Sequence, residues 1–242
     1  MAGDSRTGSA MAEPRLFVPV RVVFRRVVRP AQLVLRRAFS TAIDRRLGVV
    51  TTDERVALEL GLDIGHFRRT WRSLGWFGTW RLLRKLESAT DDVLLDIGCG
   101  AGRVVVGAMG RPFRRIIGIE IDDAFARLAA QNVAQRRRSR SSAEVFVADA
   151  ARYEVPADVT IVYLYNPFRG PVFECTLERI LASHDANPRE MRLVYANPVE
   201  HETVLRTRAF ELVDGFLLAW RPGHEWARTQ RINVYRVGSR AV

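Results

Sequence analysis

The stretch Val93-Leu-Leu-Asp96-Ile97-Gly98-Cys99-Gly100-Ala-Gly102-Arg103 restricts what this chain can fold into more than any other part of it. A short apolar run ends at an acid, glycines follow at every second position, and the helix-forming RVVVGAM begins at once. Glycine accepts positive φ and carries no Cβ, so such a turn lets a ligand approach the backbone. The helix start beyond it offers free N–H groups and positive potential. A strand, a glycine turn and a helix in this order belong to α/β folds that bind ligands at the carboxyl ends of parallel strands.

The chain keeps that rhythm. Strand-like runs at 93–97, 115–121, 144–148, 159–165 and 192–196 alternate with helical stretches near 101–110, 122–138, 170–184 and 200–207. The tail differs: FELVDGFLLAW and TQRINVYRV are two strand-like runs joined by the turn-forming RPGHEW, too short for a crossover helix, so they pair antiparallel. The reading is an α/β fold, a doubly wound, mostly parallel seven-stranded sheet with a terminal antiparallel pair, preceded by an N-terminal helical extension. Residues 1–13 form a polar tail, 14–90 the extension and 91–242 the main domain.

Spacing then selects the ligand. The dinucleotide fingerprint is G-x-G-x-x-G with a pyrophosphate over the helix start. Here the pattern is G-x-G-x-G, and Asp96 stands two residues before it, where it would repel a pyrophosphate but suit an ammonium or a sulfonium. Glu120 lies 18 residues after Gly102, at the end of the second run, placed to accept from ribose hydroxyls. Asp149 follows the third run, placed to accept from an adenine amine. Asp96-Ile97-Gly98-Cys99-Gly100-Ala-Gly102, then Gly118-Ile-Glu120-Ile121, then Ala148-Asp149-Ala150, resembles the cofactor set of the class I methyltransferases over roughly residues 90–236. The resemblance implies S-adenosylmethionine as cofactor. The Gly98–Gly102 loop and Asp96 would hold its methionine part, Glu120 the ribose, and Asp149 with the Ala150 backbone the adenine.

At the end of the fourth run, Tyr165-Asn166-Pro167-Phe168 resembles the (Asp/Asn)-Pro-Pro-(Tyr/Phe) motif of amine-methylating members, with one proline where that motif has two. The likeness implies that Asn166 orients a target nitrogen while Phe168 or Tyr165 packs on it. A protein lysine or a small-molecule amine is the favoured acceptor. Asn197-Pro198, closing the fifth run, reads as a strand end.

The net charge is +11, unevenly spread. Arg15–Arg46 holds nine arginines against one acid, Asp44, a balance of 9 − 1 = +8. Its apolar residues, among them Phe24, Val27, Val28, Ala31, Leu35 and Phe39, recur at helical steps, with Pro19 and Pro30 expected to interrupt. Such a helix packs its stripe on the main domain, or meets an anionic membrane or nucleic acid. Arg136-Arg137-Arg138 offers further phosphate contacts. The alternatives to amine methylation are therefore an RNA or DNA methyltransferase using the basic block, and a non-catalytic S-adenosylmethionine-binding scaffold or peripheral membrane adaptor.

Thr51 and Glu54 read as a capping box for a short helix ending near Gly61; helices near 64–73 and 76–88 bring an aromatic-rich set that reads mainly as core. Cys99 and Cys175 form no disulfide framework and are expected to be buried thiols. The four histidines fall at no metal-ligand spacing, and arginines interrupt every candidate for a transmembrane helix. Asp4 and Glu13, with no apolar run between them, argue against a secretory signal. The expected location is the cytoplasm, with peripheral membrane docking through residues 15–46 as an option.

Overall fold

The computed structural model describes residues 29–52, 58, 59, 61, 63, 65, 74–136, 139–165, 167–218 and 231–239. The chain divides into two compact units, Met1–Ala38 and Phe39–Val242, and the second holds the sheet. A helix, α1 (Arg29–Leu47), runs across the division, with Pro30 in its first turn. Proline is tolerated there because that N–H has no helical partner anyway. The expected interruption at Pro30 is thus a helix start. The tail, residues 15–28 of the basic block, Glu54 and most of the 64–73 stretch lie outside the described residues, as do Arg137, Arg138 and the RPGHEW turn.

In the second unit, α2 (Trp76–Lys85) precedes β1 (Val93–Ile97), α3 (Arg103–Ala108), β2 (Arg115–Glu120) and α4 (Asp123–Gln135). Next come β3 (Ser142–Val147), β4 (Ile161–Tyr165), α5 (Pro171–Ala186), β5 (Arg192–Ala196), α6 (His201–Arg206), β6 (Phe210–Leu217) and β7 (Arg231–Val237). The sheet order is β3-β2-β1-β4-β5-β7-β6. The first five strands are mutually parallel, whereas β7 enters antiparallel between β5 and β6.

Central strands covered by helices on both faces must be apolar throughout. Accordingly β1 is buried along its whole length, while β3, at the sheet's edge, is largely exposed. Alternate residues feed two cores. Leu95, Ile97, Val162 and Leu164 meet Phe173 and Leu177 of α5, whereas Leu94, Ile116, Ile161 and Tyr163 meet Leu82 and Leu83 of α2 and Val105 of α3. The strand order reverses between β1 and β4, and the crevice that this opens at the carboxyl ends is where an α/β sheet binds ligands.

The segment before β1 is tied to this sheet by buried polar groups. The Asp44 carboxylate accepts from Thr51 N (2.9 Å), Thr51 Oγ1 (2.7 Å) and Trp76 Nε1 (2.6 Å). Asn132 of α4 exchanges both hydrogen bonds with the Val50 backbone and donates to Ala101 O. Helix α2 packs close on α3: a Cβ on Gly107 would meet Thr79 Cγ2 at 3.0 Å and Leu83 Cδ1 at 3.1 Å. The Thr51 hydroxyl donates to Asp44, and the capping box expected with Glu54 falls outside the described residues. One expectation is corrected. Cys175 is exposed, because the buried face of α5 carries Phe173, Thr176, Leu177 and Ile180, and residue 175 points away from that stripe.

Candidate cofactor and acceptor site

The glycine turn leaves β1 with all three of its glycines at positive φ: 72° at Gly98, 54° at Gly100 and 76° at Gly102. Only glycine takes these values without strain, and space forbids a side chain as well. A Cβ on Gly98 would stand 2.8 Å from Pro167 Cβ, and one on Gly102 3.0 Å from Ala129 Cβ. The turn is braced from β2, since Gly98 N and Cys99 N both donate to Ile119 O (2.9 and 3.0 Å).

Over this turn opens a cleft of about 440 Å³, within the range of small-molecule sites. It gathers the acids expected from three successive strands, Asp96, Glu120 and Asp149, with Ile121 and Ala150 beside the last two. Gly98 and Cys99 form its floor, and Tyr165, Pro167 and Phe168 border it from the end of β4. Gly100 and Gly102 shape the turn without bordering the cleft, and Ile97 points into the opposite core. Asn166 lies outside the described residues.

Asp96 is 3 % exposed, and among the described residues no donor reaches its carboxylate. Burial first, and then the Glu120 charge, push it up to about 8 from 3.8. Two buried carboxylates facing one cavity repel each other until a cation enters. Tyr163, paired with Asp96 across β4, also borders the cleft; burial and the Asp96 charge raise its phenol well above the usual range, so it is a neutral hydrogen-bonding group.

Glu120 differs from expectation in one respect. Its Oε2 accepts from Gly100 N (2.9 Å) and its Oε1 from Ile121 N (2.9 Å) and Asp122 N (3.2 Å). The acid therefore shapes the glycine turn as well as facing the cleft, and Oε2 keeps a further lone pair for a ligand hydroxyl. Within the turn, Gly98 N and Cys99 N are committed to Ile119 and Gly100 N to Glu120, so these three are not free for an anion. Asp149, with 39 % of its side chain exposed, accepts from Ala151 N at 3.0 Å and stands at the outer end.

Sequence reasoning missed Arg103, Thr51 and Leu74, all of which border the cleft. Arg103 is 7 % exposed. Its guanidinium donates to Thr51 Oγ1 (3.0 Å) and Thr52 Oγ1 (3.1 Å) and to the carbonyls of Thr51 and Leu74. One cation thus fastens two pieces of the N-terminal segment onto the rim. A buried arginine directly after a glycine turn was the available signal. Its partners, up to 52 residues away, were not visible. Asn197 takes φ 51° and donates its N–H to Arg231 O; it ends β5 and does not border the cleft.

Comparison with known proteins agrees with this geometry. Residues 95–168 match the family model of a methyltransferase domain. A TehB-like S-adenosylmethionine-dependent methyltransferase from Corynebacterium glutamicum superposes with a TM-score of 0.52 at 17 % identity, over 83 % of this chain and 98 % of that one. TrmN from Thermus thermophilus superposes with a TM-score of 0.51 at 18 % identity, over 68 % of this chain and 49 % of that one. No curated protein matches the sequence. The match places a methyltransferase domain in residues 95–168, and the fold is the Rossmann-like one of the class I S-adenosylmethionine-dependent methyltransferases. The residues lining the cleft are of the kinds that S-adenosylmethionine would need: buried Asp96 would face its sulfonium and ammonium, and Glu120 and Asp149 would accept from its ribose and adenine. Among the described residues no group of side chains is placed to hold a metal ion, and no helix is long and apolar enough to cross a membrane.

Proposed function

We propose that the chain transfers a methyl group to the nitrogen of an amine, with a protein lysine or a small-molecule amine as the acceptor. The observation that carries the reading is the seating of Pro167 on the glycine turn. Pro167 leaves no room for a Cβ on Gly98, and Tyr165, Pro167 and Phe168 share one cleft with Asp96. S-adenosylmethionine supplies a methyl group already activated on a sulfonium, so the protein's task is to aim an acceptor at it.

Each residue then has a distinct duty. The nitrogen must arrive neutral with its lone pair toward the cleft, and the Asn166 side-chain carbonyl is the acceptor suited to hold one of its hydrogens. The Phe168 and Tyr165 rings favour the cation that develops on nitrogen, by about 0.5–2 kcal/mol. Phe168 is itself propped by Phe173 (centroids 6.5 Å apart), and Phe173 by Tyr195 (5.3 Å). Arg103 keeps Thr51 and Leu74 at the rim, which excludes water from the reacting end.

The test is a screen with radiolabelled methyl donor against lysine-bearing peptides, small amines and RNA. Label in peptide or amine, lost in Asn166→Ala while cofactor binding persists, supports the reading. Label in RNA alone would replace it with the nucleic-acid alternative. Tight cofactor binding without turnover on any of these acceptors would favour the scaffold.

A further inference from the structure

The two helices before the sheet expose what a soluble core would hide. On α2, Phe77 stands three and four residues before Trp80 and Arg81, and Arg84 three and four residues after Arg81 and Trp80, so the four lie along one face. Phe77 is 62 % and Trp80 42 % exposed. On α1, Phe39 is 43 % exposed and shares its face with exposed Ala42 and Arg46. The two faces meet, for the Phe39 and Trp80 rings lie 6.2 Å apart at 89°. Trp80 is held in place by Trp76 (6.0 Å), which Asp44 in turn fixes through its indole N–H. The aromatic patch is therefore built on a rigid base.

Charge completes the pattern. Helix α2 contains Arg81, Arg84 and Lys85 and no acid, and the acid of α1, Asp44, is buried and bonded inward. Among the described side chains of these two helices, every exposed charge is thus a cation. We infer that this face docks the enzyme on an anionic lipid surface, with Phe39, Phe77 and Trp80 seated among the headgroups and Arg46, Arg81 and Arg84 on the lipid phosphates. Aromatic side chains favour the membrane–water boundary, and arginines beside them gain from a negative surface. Bases, the other polyanionic option, stack on open ring faces, whereas the perpendicular Phe39–Trp80 pair covers one. The placement also serves the reaction, since Leu74, at the rim of the cofactor cleft, is two residues from the start of α2.

The full chain is to be sedimented with vesicles of phosphatidylcholine alone and of phosphatidylcholine mixed with phosphatidylglycerol, at low and high salt, beside Phe77→Ser/Trp80→Ser and Arg81→Gln/Arg84→Gln variants. The expected result is binding only to the anionic vesicles, weakened by salt. It falls by about tenfold or more in the aromatic variant, because two large apolar side chains no longer enter the interface. Brominated lipid should quench tryptophan emission in the parent chain, with most of that quenching lost in Trp80→Phe. Unchanged affinity for S-adenosylhomocysteine shows that the variants are folded. Vesicle binding that the aromatic variant retains in full would overturn the assignment, as would absence of vesicle binding together with salt-sensitive binding of single-stranded RNA.

Discussion

Replacing Asp96 by asparagine probes the electrostatics of the cleft most directly. The Asp96 carboxyl stands at about 8 against an ordinary 3.8, so between those values the folded chain holds a proton that the unfolded chain has released. The folded state binds more protons there, and unfolding free energy must fall as pH rises through that window, by about 1.4 kcal/mol per pH unit. From about pH 6 to about pH 7.5 that amounts to about 2 kcal/mol, and above about pH 8 the curve flattens. Asp96→Asn has no such proton, so its urea-unfolding curve should lack this slope, and near pH 8 it should be the more stable chain. Ligand binding inverts the preference: a cation at Asp96 requires the carboxylate, so S-adenosylmethionine binding near pH 6.5 should release close to one proton. Titration calorimetry in buffers of different ionisation enthalpy reads that release. Parallel pH–stability curves for the two chains, or proton-neutral binding below pH 7, would refute the reasoning, because Asp96 would then be ionised in the free cleft.

Gly98→Ala forces a Cβ against Pro167 at a positive φ, so it should cost about 1–3 kcal/mol of stability and weaken cofactor binding in calorimetry. Glu120→Ala removes the acceptor of three backbone N–H groups; S-adenosylhomocysteine affinity should drop by about 100-fold or more, and near-normal affinity would show that the turn holds without it. Arg103→Met strips hydrogen bonds from buried Thr51 and Leu74 groups and should destabilise the chain by about 2–4 kcal/mol in urea unfolding. Asn166→Ala should leave cofactor affinity within about twofold while lowering turnover by about 100-fold, the scale of a misplaced acceptor.

Much of this architecture is written in short-range pattern. The alternation of strand and helix, the G-x-G-x-G turn and the acid after each of the first three strands depend on neighbours in sequence, and those acids converge because parallel strands place their carboxyl ends side by side. What the pattern could not convey is pairing between distant groups. That β7 enters between β5 and β6 depends on the register of Ala196 with Ile232, which no local run of residues specifies. Strand β4 begins later than its apolar run because Thr160 is drawn into the turn, where its hydroxyl donates to Asp92 and accepts from Val93 N. The S/T-x-x-E signature at Thr51 carries no sign that the same hydroxyl also bonds a carboxylate seven residues earlier and a guanidinium 52 residues later.

Those long-range bonds explain why the segment before the sheet belongs to the site. A basic protein, +11 overall, surrounds a cleft bordered by three acids and the single arginine Arg103. Two of those acids, Asp96 and Glu120, are buried, an arrangement that destabilises the empty fold through desolvation and mutual repulsion. The fold tolerates it because the same region is over-determined elsewhere: Asp44 with Thr51 and Trp76, Asn132 with Val50 and Ala101, and Arg103 with Thr51, Thr52 and Leu74 are all satisfied inside the structure. Stability and recognition are thus divided between two sets of polar groups. One set is saturated inside the structure, and the other, centred on Asp96, would be completed by the cation of a bound ligand. Asp96→Asn should therefore gain stability near neutral pH and lose function together, a pairing that a merely structural carboxylate would not produce.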